Sequence, residues 1–143
     1  MNPRELTKYS FWWSEARLLI AAMALFIGGV PPIYLMVPPS LFSLTTLLLK
    51  LAWIISGLAV IYLLYRWYHT GQKLFGHKDH KDVLSFLVLV ISGLNLGFAG
   101  VFGRNLGFAV TTNRFILFIV AICYLAAAWQ LWSHGRKHDG KIF

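Results

Sequence analysis

The chain has 143 residues, 58% of them hydrophobic and 13% charged, with a mean hydropathy of +0.66, one cysteine and a net charge of +8. Soluble domains carry roughly one quarter charged residues, so this composition excludes a water-soluble globular protein. A lone Cys123 excludes an internal disulfide or a four-thiolate metal site within one chain, and it is expected as a small buried apolar residue in the last helix. The basic residues stand beside apolar runs and form no basic domain of their own, which excludes nucleic acid and points to the lipid bilayer as partner.

The expected fold class is an all-α integral membrane protein, with one four-helix transmembrane domain over 1–143 and helices at about 15–37, 43–67, 83–102 and 113–133. Ahead of the first apolar run, Tyr9, Phe11, Trp12 and Trp13 alternate with Arg4, Lys8 and Arg17, the pattern of an interfacial anchor. The run itself, Leu18 to Val37, is longer than a signal-peptide core and ends at Pro38 and Pro39 with no small-residue cleavage site, so a cleaved leader is not expected. Gly28, Gly29, Pro31 and Pro32 fall in its middle and predict a kinked or partly unwound first helix.

The second span carries Lys50 in its outer third and ends in Tyr65, Arg66, Trp67 and Tyr68. The loop from His69 to Asp82 is the one appreciable polar segment between spans. The third span holds Gly93, Gly97 and Gly100 in a stretch where GLNLGFA (Gly93 to Ala99) recurs as GRNLGFA (Gly103 to Ala109). Each glycine in a helix costs about 1 kcal/mol relative to alanine, a loss that close packing against another helix offsets. The fourth span follows Arg104 and Arg114 and closes on Trp129 and Trp132.

Two longer similarities suggest that the hairpins are parallel copies, over 15–75 and 80–143. IGGVPPIY at Ile27 overlays ISGLNLGF at an offset of 64, and AVIYLLYRW at Ala59 overlays AICYLAAAW at an offset of 62. The copies end alike, in GQKLF and DGKIF. Ten of the 13 Lys and Arg residues flank the N-terminus, the middle loop and the tail, which places both termini in the cytoplasm, of a prokaryote, by the positive-inside rule.

Candidate functional residues follow from what lipid tolerates. Gly28, Gly29, Pro31, Pro32, Gly93, Asn95, Gly97 and Gly100 are expected either to line a pathway at interrupted helices or to pack helices together. Lys50, Arg104 and Arg114 face no acidic residue on their side and suit an anion or a lipid headgroup. His77 and His80 lack a second cluster with zinc spacing, and His69 and His134, at the inner ends of the second and fourth helices, lie outside the apolar core where haem would sit, so no metal and no cofactor is expected. No Asp or Glu falls inside the expected spans, which argues against carboxylate-coupled transport, and no nucleophile with a neighbouring base supports an enzyme. Three readings remain: an oligomeric channel or transporter, a non-catalytic subunit or scaffold of a membrane complex, and a lipid-handling protein. A homo-oligomer or other membrane subunits are expected as partners, because four helices enclose little space of their own.

Overall fold

Helix α1 (Pro3–Phe26) begins where the sequence supplies a complete N-cap. The Asn2 side chain accepts from the Arg4 amide at 3.2 Å, the Asn2 amide donates to the Glu5 carboxylate at 3.4 Å, and Pro3 occupies the first helical position. The helix ends at Phe26 because Gly28 and Gly29 turn left-handed, with φ of +91° and +90°. The expected first helix, 15–37, is therefore displaced: its charged leader is helical, and Pro31 and Pro32 lie beyond its end, so they kink nothing. They start a connection of two 3-10 turns, Pro32–Leu35 and Pro39–Leu41.

The computed structural model describes residues 2–138 and 141–143, and the remaining helices lie close to their expected positions. They are α2 (Phe42–His69), α3 (His80–Phe102), a short α4 (Leu106–Val110) and α5 (Arg114–Lys137). Three stretches are long and apolar enough to cross a membrane: Pro39–His69, His80–Phe102 and Arg114–Lys137. Among the described residues there is no strand.

The long helices form an antiparallel ring in the order α1, α2, α3, α5, with α1 and α3 also touching across the diagonal. Helix α1 faces the ring with Thr7, Phe11, Ser14, Leu18 and Ala22, a buried stripe at three- and four-residue spacing. The closest seam joins α2 to α3. A Cβ added at Gly97 would lie 2.7 Å from the Gly57 Cα, and one at Gly57 would lie 2.8 Å from the Gly97 Cα. Gly93 receives Val60, and Gly100 receives Ile54 and the Lys50 carbonyl. The glycine face of α3 is thus filled by α2 of the same chain.

At the end that holds Asn2, the loop after α2 folds over the bundle. Leu74 and Phe75 are buried, and the Phe75 amide donates to the Ile142 carbonyl at 2.9 Å. Phe75 meets Phe11 edge-on at 6.1 Å, and Phe143 meets Phe86 at 5.9 Å. The similar endings Leu74-Phe75 and Ile142-Phe143 therefore pack together as one apolar cover.

Register separates the two hairpins. At an offset of 64, residues 27–34 are the connection after α1, whereas 91–98 are the uninterrupted middle of α3. Residues 59–67 lie in the last half of α2, and their counterparts 121–129 are the centre of α5.

Candidate functional site: a buried carboxylate in an apolar groove

Between α1 and α5 the bundle is not filled. Trp12, Glu15, Ala16 and Leu19 form one stripe on α1, and Ile122, Leu125, Ala126 and Trp129 form the facing stripe on α5, each at spacings of three, four and seven. Alanines at the centre of both stripes leave a groove of about 670 Å³, completed by Ala128 and Trp132. Its rim is exposed on the flank of the bundle: Trp129 keeps 67% of its surface and Ile122 48%. Toward the end opposite Asn2, the Phe26 and Phe118 rings meet edge-on at 5.3 Å between α1 and α5.

Glu15 is the one acidic side chain in this wall. It is 4% exposed, and neither carboxylate oxygen has a hydrogen-bond partner. An unpaired carboxylate in apolar surroundings is costly enough that it requires a counter-charge or a proton. Arg17 does not supply the charge, since its guanidinium points across the ring to α3. There it donates to Ser92 Oγ at 3.2 Å and to the Leu89 carbonyl at 3.3 Å, with Nε left without a partner. Among the described residues no ion pair joins the two. Because α1 starts at Pro3, Glu15 falls at its midpoint, alongside Ala128 and Leu131 of α5. Trp13 donates to Ser56 Oγ in the middle of α2 at 3.0 Å, and Cys123, expected to be buried, is exposed on α5.

The residues singled out from the sequence fall into separate places. Gly29, Pro31 and Pro32 meet Ala99, Gly103, Asn105 and Phe108 around a small cavity of about 240 Å³ at the far end. The Phe108 ring occupies the space a Gly29 side chain would need. Gly28 stands beside them with open space around it. Lys50, Arg104 and Arg114 are all exposed, on α2, on the link before α4 and at the start of α5.

Asn95 and Asn105 explain why NLGF occurs twice in tandem. Asn105 caps α4, accepting from the Gly107 amide at 2.9 Å, while Asn95 donates to Asn105 Oδ1 at 2.9 Å and accepts from the Leu106 amide at 2.9 Å. Asn95→Leu is expected to release α4 at a cost of about 1–2 kcal/mol, since it removes two hydrogen bonds and a cap. Faster hydrogen exchange at Leu106 and Gly107 would register it, and unchanged protection there would show that the cap is not made.

Near the Asn2 end, Asp82 is buried and its carboxylate is fully engaged, by Gln130 Nε2 at 2.9 Å and His134 Nδ1 at 2.8 Å. Asp79 approaches the same pair but already caps α3 through the Lys81 amide at 3.0 Å. This network ties α3 to α5. His69 is exposed against Tyr65, with ring centroids 4.3 Å apart, and His77 lies 5.6 Å from His138. Comparison with protein-family models, with characterised proteins and with solved structures finds no match to this chain.

Proposed function

We propose that the protein crosses the bilayer four times and binds an apolar-bodied small molecule, admitted sideways from the inner leaflet into the groove between α1 and α5. The observation that carries this reading is the groove itself, which has apolar walls, opens on the flank and has a carboxylate buried in it. Its volume of about 670 Å³ falls within the range of roughly 300–1,000 Å³ typical of small-molecule sites. Helix α1 carries too many charges to be read as a span from composition, yet its 24 residues run beside the other three over their common length. At 1.5 Å per residue that is about 36 Å, enough for a hydrocarbon layer of about 30 Å. The Lys and Arg distribution supports both termini inside, with Trp132, near the C-terminal end of α5, on the inner side.

Carriage of such a molecule is the form of transport this geometry supports. A pore draws no support from a single chain whose centre is packed with Leu18, Val60, Leu63, Phe86 and Leu89. Short helical pieces in the link of each hairpin support a shared topology for the two, although their registers differ. Energy transfer from tryptophan to diphenylhexatriene in nanodiscs tests the groove. Wild type is expected to show one saturable site per chain, and Ala126→Trp, which fills the space, to weaken it by about tenfold or more, the equivalent of about 1.4 kcal/mol. Equal signals from the two proteins would reject the groove.

A further inference from the structure

We infer that the groove selects an organic cation whose charge is sheathed in apolar groups, of the quaternary ammonium or phosphonium kind, with Glu15 as its counter-charge; this rests on the groove being a ligand site. Three observations carry it. Both oxygens of Glu15 are buried and unpartnered, so the wall holds a carboxyl group that an entering cation would keep ionised, the chain offering it no counter-charge of its own while Arg17 is committed to Ser92 and Leu89 on the other side of the helix.

The remaining wall is alanine, leucine, isoleucine and tryptophan, which offers a sugar or an amino acid almost no hydrogen-bond partners. An anion would meet only repulsion from Glu15, and a bare metal ion would find a single carboxylate in a space many times its size. A cation that brings its own apolar shell loses little hydration on entry and gains both the carboxylate and the indole faces. The third observation is that one of those faces already takes a cation: the Arg136 guanidinium lies 5.1 Å from the Trp132 ring centroid at the groove's inner end.

The test uses the full chain in nanodiscs, with tetraphenylphosphonium and uncharged triphenylphosphine oxide as probes that share their aryl groups. Wild type is expected to bind the phosphonium about tenfold or more tightly than the oxide, and Glu15→Gln to bind the two alike. A cooperative unfolding transition in Glu15→Gln separates loss of charge selection from loss of fold. Equal binding of both probes by wild type, or a preference that survives in Glu15→Gln, would overturn the inference. So would a second polypeptide that co-purifies in equal amount and occupies the groove, because its own basic residue would then be the counter-charge. If diphenylhexatriene also fails to bind wild type, the groove is not a ligand site and the failure lies with the functional reading.

Discussion

Gly97→Leu is expected to prevent α2 and α3 from seating against each other. The position of the missing Cβ sets the scale: it would stand 2.7 Å from the Cα of Gly57 and 3.7 Å from the Trp53 carbonyl, and both neighbours are backbone. Backbone cannot rotate away as a side chain can, so even Gly97→Ala must push one helix from the other along a seam that also holds Gly93 against Val60 and Gly100 against Ile54. Overpacking of this kind costs about 1–3 kcal/mol for a modest addition and more for a branched side chain. Gly97→Ala should fall within that range, and Gly97→Leu should yield little folded protein in detergent or lipid.

Gly135→Ala is a fitting control, because an added Cβ there would meet the Phe75 ring at 3.6 Å, an ordinary contact. Denaturant unfolding in micelles measures the difference. If Gly97→Leu unfolds like wild type while an oligomer falls apart, the glycine face meets another chain and not α2.

The same contact shows what could be read in advance. The spacing of Gly93, Gly97 and Gly100 announced a close helix neighbour, because nothing else offsets glycine in the middle of a span. It did not announce Gly57, a single glycine in a leucine-rich helix, since one small residue has no periodicity to betray it. The last three long helices were legible from apolar length alone. The first was not, because hydropathy penalises Arg4, Glu5, Lys8, Glu15 and Arg17 and so assigns their segment to water. A local signal pointed the other way: Asn2, Pro3 and Glu5 spell an N-cap, a first-turn proline and a capping box.

With the helix begun at Pro3, its apolar and aromatic residues fall on stripes, and Glu15 drops into the wall of a groove. Pro31 and Pro32 were legible in part. Their presence predicts an interruption, which is there, but the adjacent Gly28 and Gly29 end the helix before either proline can kink it. The tandem NLGF was visible, but its meaning was not, since a side chain ten residues back capping a short helix is a tertiary fact.

Glu15→Leu is expected to make the ligand-free protein more resistant to unfolding, by about 1–3 kcal/mol, while removing any distinction between cationic and uncharged probes. Most substitutions of a buried residue weaken a fold, because they open a cavity or strand a partner. Neither applies here. Leucine is close to glutamate in size, and no donor in the described structure depends on the Glu15 oxygens, so none is stranded. What disappears is an unpaired polar group held at 4% exposure against Trp12, Trp132, Ala128 and Leu131. Asp82 makes the opposite case: Asp82→Leu would leave Gln130 and His134 without their acceptor, although it too removes a buried carboxylate.

Stored destabilisation of this kind is expected where activity and stability compete. Titration of wild type and Glu15→Leu with denaturant in mixed micelles, with and without tetraphenylphosphonium, would show both halves. The variant should start higher and gain nothing from the cation, while wild type should start lower and gain. A Glu15→Leu protein that unfolds more easily than wild type would mean that the carboxylate has a structural partner, and that the groove's charge belongs to the fold.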